Sequence, residues 1–396
     1  MYVTRPLSWY KKFPAELKKS PSTELGPNSG ILVIEDDEDP APFSSCFGLC
    51  RIINSRKRLT QLPIPQNKET KIHRDEVSSE IHYVFFFPVL DQPLSSNRYY
   101  VLQSRGKNKG KVFKSSKWEE DIPAGTDCFG DRNGKPQAAD HEKFKFYSRR
   151  WTVDFSGKSV ASESDVIPRL FLGFFRVDTF TTRNSKLGEA RGLDIELRAR
   201  LPEFNFPLSY KTCQPVVVGK WYCPFIFIKD GSPEDQVAKS TYYKMTLEQR
   251  WEQVFACDNI GDYNDVVILI DVKVEREVFR VGGNEKEALR YGSVMGDNGV
   301  MWFKSCSKEG KEVDIGLSLA IFERMKWEQE RVGWSSKEKR EERIERAEKF
   351  GNEGKIWKKF GCYILVERFV LRRMDGSLAF TYDFKHTHQI RSKWEC

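Results

Sequence analysis

The chain has 396 residues, of which 39% are hydrophobic and 31% are charged; this balance supplies enough apolar side chains for packed cores and excludes a chain that is disordered throughout. The net charge of +8, from 65 basic and 57 acidic residues, is too small an excess to indicate nucleic-acid binding by itself. Aromatic residues make up 13%, which favours β-sheet because large rings suit a pleated, half-buried surface.

The first third of the chain has the pattern of short strands separated by turns. Segments rich in Gly and Pro, such as residues 25–30, flank apolar runs such as residues 31–34, as is typical of strands and their connections. Across the basic turn at residues 105–110, residues 99–103 are predicted to form a hairpin with residues 111–113.

A polar segment rich in small residues, 156–168, predicts a domain boundary. Since domains commonly have roughly 150 residues, more than one is expected in this chain. We therefore expect a β-rich N-terminal domain over residues 1–165 and an α+β C-terminal domain over residues 166–396.

The second half alternates predicted strands with tight turns. Its clearest hairpin joins residues 363–373 to residues 378–384 through Asp375-Gly376, a pair that tolerates the positive φ angles of two-residue turns. Further strands are predicted at residues 216–218, 221–228 and 266–279, and a further hairpin joins residues 300–306 to residues 313–321.

One long surface helix is predicted at residues 336–350. Nearly every residue in it is charged, a capping box begins at Ser335, and Gly351 closes the segment. Pairs four residues apart, such as Glu342 with Arg346, favour a helix. Because its apolar stripe is thin, this helix is expected to lie on the surface.

A second capping box, Thr246 to Gln249, predicts a short helix through Trp251 and Val254. Few predicted strands alternate with helices of crossover length, so a parallel doubly wound sheet is not expected. The fold class predicted is α+β and β-rich: mostly antiparallel sheets and hairpins, with a few short helices and one long charged surface helix.

No motif for catalysis or cofactor binding is present. Residues 106–111 resemble a phosphate-binding loop, but their glycines are one residue too close and Val112 stands where a hydroxyl residue should bind the metal. Neither a nucleophile elbow nor a zinc-protease sequence occurs. We assign no catalytic, cofactor-binding or metal-binding residue and no cofactor, while a triad assembled only by the fold stays open.

Two short patterns have metal-ligand residue types. His386 and His388 alternate, so that on a strand both imidazoles would face one way, and Cys46 and Cys50 lie four residues apart. A structural zinc needs four ligands, and no further cysteine pair or carboxylate completes either set. Structural side chains are the favoured interpretation of both pairs.

Basic residues mixed with aromatic ones recur at residues 355–360, 372–373 and 391–394. Such mixtures can neutralise phosphates and stack bases, and the basic turn at residues 105–111 could attract an anionic partner. They are also typical of strands with rings inward and cations outward. Binding to nucleic acid or an anionic membrane surface is therefore a minor alternative, which requires the turns at residues 105–111 and 355–359 to share one face.

No transmembrane or export segment is predicted. Residues 1–13 lack the apolar stretch of a secretory signal, and the longest apolar run, residues 83–90, is far shorter than the roughly 18 residues that span a bilayer. The nine cysteines are an odd number scattered over a long chain, which indicates free thiols in a reducing compartment. We expect a soluble protein of the cytoplasm or nucleus.

Five peptides suggest a known family. They are residues 26–30, 46–50, 88–100, 218–225 and 375–395, and they resemble a plant family catalogued as domain of unknown function 1262. The resemblance extends over essentially the whole chain and implies a land-plant source. It implies no reaction, cofactor or site residue.

Two further hypotheses compete on these observations. The favoured one is a non-enzymatic interaction protein with a protein partner, for which residues 336–350 would be the docking element. The other is an enzyme with a dispersed site, which requires His386, His388 or a thiol such as Cys223 to lie in a cleft beside a carboxylate, with a perturbed pKa.

Overall fold

A computed structural model describes fifteen stretches of the chain: residues 1–36, 63–73, 81–96, 98–106, 109–110, 151–153, 159–161, 176–178, 186–261, 266–283, 289–291, 300–306, 312–335, 340–351 and 355–396. Its strands are β1 (Tyr2–Pro6), β2 (Gly30–Ile34), β3 (Thr70–His73), β4 (Ile81–Pro88), β5 (Arg98–Gln103), β6 (Trp151–Val153), β7 (Ser159–Ala161), β8 (Arg176–Asp178), β9 (Gly192–Leu193), β10 (Val216–Pro224), β11 (Ile228–Lys229), β12 (Tyr242–Asp258), β13 (Val267–Glu275), β14 (Glu277–Val281), β15 (Leu289–Tyr291), β16 (Val300–Cys306), β17 (Glu312–Ser318), β18 (Glu341–Lys349), β19 (Lys359–Arg373) and β20 (Leu378–Glu395). Its α-helices are α1 (Leu7–Lys12), α2 (Pro21–Leu25), α3 (Ile195–Arg200), α4 (Pro233–Lys239) and α5 (Leu319–Glu330), and 3-10 turns span Pro14–Lys18, Leu94–Ser96 and Phe225–Phe227.

The largest sheet has eight strands in the order β14-β20-β19-β12-β10-β1-β2, with β9 beside β10. All its pairs are antiparallel except β1 with β2. The predicted hairpin around Asp375-Gly376 is confirmed as β19 and β20, and Gly376 has φ +88°. The β-rich, mostly antiparallel class is therefore confirmed.

Three smaller sheets accompany it: β7-β6-β5-β4-β3-β8, β11-β17-β16-β15 and the two-stranded ribbon β13-β18. The predicted hairpin of residues 300–306 is confirmed as β16 with β17, although the chain turns helical at Leu319. Residues 99–103 form most of β5, which pairs with β4 and β6. Their predicted hairpin partner, residues 111–113, lies outside the described residues.

The short helix predicted through Trp251 and Val254 is wrong, because these residues lie within β12. Most side chains of residues 242–251 are buried, Leu247 and Trp251 among them, so this strand is covered on both of its faces. Thr246 donates its hydroxyl proton to Glu248, 3.1 Å away, rather than capping a helix. Backbone pairing with β10 and β19 on both sides outweighs the local capping signal.

The long charged helix predicted at residues 336–350 is also wrong, because β18 occupies residues 341–349 and pairs along its whole length with β13. Residues 336–339 lie outside the described part. Ile344 is buried against Val274 and Val366, whereas Ala347, part of the expected helical stripe, is exposed. A helix would bury too little apolar surface here, and helices depend mostly on such packing for stability.

One face of the main sheet is buried by aromatic packing against α5 and β16. The ring of Tyr382 lies 4.4 Å from that of Phe279 and 5.7 Å from that of Phe322 on α5. Phe303 of β16 lies 4.8 Å from Phe279. Rings at these separations contribute beyond the area that they bury.

Strands from both sides of the predicted domain boundary meet in the main sheet, since β1 and β2 join it next to β10. Phe87 of β4 also packs edge-on against Tyr242 of β12, with ring centroids 5.5 Å apart. The division at residue 165 stays a prediction. No helix among the described residues is both long enough and apolar enough to cross a membrane.

Candidate functional site

Two of the recognised peptides, residues 26–30 and 88–100, meet at Asp91. Its carboxylate accepts the backbone N–H groups of Asn28, at 3.1 Å, and Ser29, at 3.0 Å, and its own N–H donates to the carbonyl of Ser29. Gly26 has φ +86°, and a Cβ there would lie 2.5 Å from the ring of Trp327 on α5. Only glycine fits both constraints, so the turn is docked on α5.

The Asp91 carboxylate is therefore expected to stabilise the fold. Replacing Asp91 by Ala leaves two partly buried N–H groups without their acceptors, and we expect the free energy of unfolding to fall by about 1–3 kcal/mol. Asp91→Asn is the matched control, because its amide oxygen keeps one acceptor and Asn tolerates the positive φ of this position. Urea unfolding should show a smaller loss for Asn; equal losses would contradict this role.

A buried charge network runs from this turn along α5. Arg324 donates to the carbonyl of Leu25 and pairs with Glu328 one turn later on α5, each at 2.5 Å. Ser318 caps the helix by accepting the N–H of Ile321. Glu328 in turn lies 3.6 Å from Arg198, which is carried by α3. These three charged side chains are at least 95% buried.

Glu367 of β19 is the centre of the network and is 1% exposed. Arg198 binds it through two N–H groups, at 2.9 and 2.5 Å. The amides of Gln249 and Gln329 donate to its two oxygens at 2.8 and 2.7 Å. Burial opposes ionisation of Glu367, but the hydrogen bonds and charge of Arg198 outweigh it and hold the pKa of this carboxyl below its usual range.

His386 closes the network on β20. Its Nε2 lies 2.9 Å from the Gln329 amide oxygen and 3.9 Å from Glu367. Because the Gln329 nitrogen already donates to Glu367, its oxygen is the acceptor, so His386 carries its proton on Nε2. Nδ1 has no hydrogen-bond partner within the described part of the chain. Burial lowers the pKa of His386 to about 4.

The dispersed-site hypothesis finds part of its geometry here. A histidine beside a carboxylate with a perturbed pKa is present, but His386 and Glu367 are both 1% exposed and therefore do not line a cleft. His388 is exposed and lies 3.2 Å from the carbonyl of Val332. The two imidazoles are 5.4 Å apart, and no set of three potential metal ligands occurs among the described residues.

The other candidate groups are placed less favourably for chemistry. Cys223 is fully buried, and burial raises the pKa of its thiol to about 11, which keeps it in the poorly nucleophilic thiol form. Arg105 is bound by the buried Glu69, with Nε 2.9 Å from the carboxylate. Lys107, Asn108 and Lys111 of the basic turn, together with Cys46 and Cys50, lie outside the described residues.

A second charge cluster lies on the opposite face of the main sheet. Asp383, almost fully buried, accepts from Arg368 at 2.6 Å, Arg250 at 3.1 Å and Arg280 at 3.3 Å. Burial opposes ionisation of Asp383, but the bonded Arg368 and the other two guanidinium groups hold its pKa below the usual range. This cluster joins β12, β14, β19 and β20 without leaving a carboxylate oxygen free for substrate.

One end of the main sheet and the neighbouring end of the β13-β18 ribbon carry exposed apolar side chains; we name this region the distal tip. Here β12, β18 and β20 end and β13 and β19 begin, as the pairing of Lys359 with both Asp258 and Glu395 shows. Four large apolar side chains are exposed at the distal tip: Ile260 (97%), Leu269 (74%), Val267 (54%) and Ile356 (47%). Sequence reasoning missed this surface because these residues are dispersed along the chain.

Comparisons with known proteins agree with one part of the sequence analysis. A family model described as "Protein of unknown function (DUF1262)" matches residues 25–129. The resemblance to that domain is confirmed over this segment. No curated protein matches the chain. A crystal structure of Cry35Ab1 is similar with a TM-score of 0.44 and 11% identity, covering 84% of this chain and 90% of that one; a likeness at this level assigns no function.

Proposed function

We propose that this chain is a non-enzymatic interaction protein of the plant cytoplasm or nucleus, which binds a protein partner through the distal tip. The observation that carries the proposal is the exposure of Ile260, Val267, Leu269 and Ile356 where β12 ends and β13 and β19 begin. Clustered apolar surface is costly in water and marks interaction sites in proteins.

An aromatic cluster supports the distal tip from beneath. In this cluster, the ring of Trp394 lies 5.1 Å from that of Phe350, 5.2 Å from that of Trp357 and 4.5 Å from that of Phe360. Asn259 binds the loop of Trp357 through its side-chain amide, at 2.9 Å. A preorganised surface loses less conformational entropy on binding.

The charged groups favour binding over catalysis. Gln329 forms hydrogen bonds with both His386 and Glu367, and three arginines donate hydrogen bonds to Asp383. Groups so paired stabilise a fold, whereas a catalytic base needs access to substrate. The enzyme alternative would need His386 to become exposed.

The charges around the distal tip indicate the chemistry of the partner. Lys355, Lys358 and Lys359 are exposed next to Ile356, so a complementary surface has apolar side chains bordered by carboxylates. The compartment is supported by the thiols, because the five cysteines whose side chains are described, Cys213, Cys223, Cys257, Cys362 and Cys396, are all free.

The test compares the full chain with a double variant, Ile260→Asp and Leu269→Asp, as bait in plant extract. Ile195→Asp is the matched control, because Ile195 is also highly exposed but lies on α3. The captured protein is then purified and its affinity measured with each bait. We expect the tip variant to lose about tenfold or more in affinity, since apolar anchors dominate such contacts, and the control to bind normally.

Two results would overturn the proposal. The first is a purified partner that binds the tip variant as tightly as the wild type. The second is binding of the wild-type tip to vesicles containing anionic lipid, with no protein captured; that result would instead assign the lysines and apolar side chains to a membrane surface.

A further inference from the structure

We propose that β18 is a self-association edge, at which a second copy of the chain pairs antiparallel about a two-fold axis through Ile344. Two observations carry this: the unpaired side of β18 and the order of charges along it. The inference is independent of the distal tip and its partner.

On one side of β18, no strand pairs with it among the described residues. Its partner on the other side is β13. Phe350 donates its N–H to Val266, and Arg276 donates its N–H to Arg340, so even-numbered residues of this segment form the hydrogen-bonded pairs of the ribbon. Antiparallel pairs alternate. The N–H and C=O groups of the odd residues, from 341 to 349, therefore point away from β13.

The charges of β18 do not match those of β13. Like charges stand directly opposite in three successive pairs of the outer face: Asp271 with Glu345, Lys273 with Arg343, and Glu275 with Glu341. Like charges directly opposite destabilise a sheet. The ribbon compensates diagonally, because Arg343 pairs with Asp271 at 2.5 Å and Arg340 pairs with Glu275. Directly opposite pairs with β13 therefore do not account for the charge order.

The same order is complementary to itself. With the axis through Ile344, Arg343 stands opposite Glu345 of the second copy, Glu342 opposite Arg346, and Arg340 opposite Glu348. The odd residues, whose backbone groups point outward, then bond to odd residues, as an antiparallel ladder requires.

Neighbouring registers lose this match. An axis moved to residue 343 sets Arg343 against Arg343 and Glu341 against Glu345, and an axis at residue 345 sets Glu345 against Glu345 and Glu342 against Glu348. Charge thus disfavours these two neighbouring registers.

The charged side chains are accessible for this contact. Arg343 is 56% and Glu345 64% exposed, and Arg346 and Glu342 are each about two-fifths exposed. Charge complementarity on an exposed edge favours a second copy as the occupant. We expect a reversible dimer that weakens as salt is raised.

Charge exchange tests the register. Glu345→Arg places Arg against Arg343 of the second copy. Inside the ribbon it removes the Arg343–Glu345 ion pair and places Arg opposite Asp271, so the fold exchanges one opposite-charge pair for another while the dimer loses one. Arg343→Glu makes the converse change: it places Glu against Glu345 of the second copy and, inside the ribbon, opposite Lys273. We expect sedimentation equilibrium to show dimer dissociation constants raised about tenfold or more in each single variant.

Two experiments that restore opposite charges, and should therefore restore the dimer, distinguish this pairing from a general effect of charge. The double variant Arg343→Glu with Glu345→Arg restores opposite charges and should dimerise within a few-fold of wild type. An equimolar mixture of the two single variants should form a heterodimer, because both cross-copy pairs between residues 343 and 345 again have opposite charges. Both recoveries are required by the register through Ile344.

Ala347→Pro tests the backbone ladder. Ala347 is an odd residue, so its N–H points to the open edge, where proline is tolerated within the ribbon. The dimer should be lost while circular dichroism and thermal unfolding stay those of a folded chain. The inference is overturned if the wild-type chain is monomeric at every concentration, or if Glu345→Arg and Ala347→Pro leave the dimer dissociation constant unchanged. The charges of β18 would then serve to prevent edge-to-edge association.

Discussion

Replacing Arg198 by Met should lower the free energy of unfolding by about 3–5 kcal/mol, the usual cost of removing one member of a buried ion pair. Arg198 supplies two N–H groups to Glu367 and a third contact to the carbonyl of Glu328. Without it, Glu367 keeps only the amides of Gln249 and Gln329, and a carboxylate buried with neutral donors must protonate or remain poorly solvated.

Two further variants show whether the loss of stability comes from the ion pair of Arg198 and Glu367. Arg198→Met combined with Glu367→Leu removes both charges and should recover much of the loss, because a well-packed apolar pair can replace a buried ion pair at little cost. Arg191→Met breaks a surface pair with Glu189 and should leave stability unchanged, since both side chains are mostly exposed. Urea unfolding measures all three; equal stability of the variants at residues 198 and 191 would refute the role of the network.

The strands and tight hairpins could be predicted from sequence because their signals are local. Asp375-Gly376 fixes a turn through the φ preferences of its own residues, and the long apolar run of β19 needs no distant partner to indicate a strand. The helices predicted at residues 246–254 and 336–350 failed for a related reason. Capping boxes and charge pairs are local too, but each is weaker than a ladder of hydrogen bonds to strands distant in sequence.

The buried network was not predicted, because its members are brought together only by the fold. Arg198, Gln249, Glu328 and Glu367 come from α3, β12, α5 and β19. One signal was available: Glu367 interrupts an apolar run on a strand buried on both faces. A charge in such a run must find a counter-ion inside the protein. The identity of that counter-ion was beyond sequence reasoning.

His386 should make the chain less stable as the pH falls from about 6.5 to about 4. The folded-state pKa of about 4 lies below the ordinary value near 6.5, so in this window the unfolded chain binds a proton that the folded chain does not. Stability therefore rises with pH there. From the difference between the two pKa values, protonation of the unfolded chain lowers the free energy of unfolding by about 3 kcal/mol, and most of this loss is reached near pH 4.

His386→Gln isolates that contribution, because glutamine can still donate to Gln329 but does not titrate. The difference in unfolding free energy between variant and wild type should grow in favour of the variant as the pH is lowered from 7 to 4, when urea unfolding is followed at fixed ionic strength. His388→Gln is the matched control two residues away; its exposed ring should leave the wild-type slope in place. Parallel curves for wild type and His386→Gln would mean that the pKa of His386 is the same in the folded and in the unfolded chain. His386 would then become charged beside Glu367 at mildly acidic pH, and burial would not be the factor that sets the charge of this network.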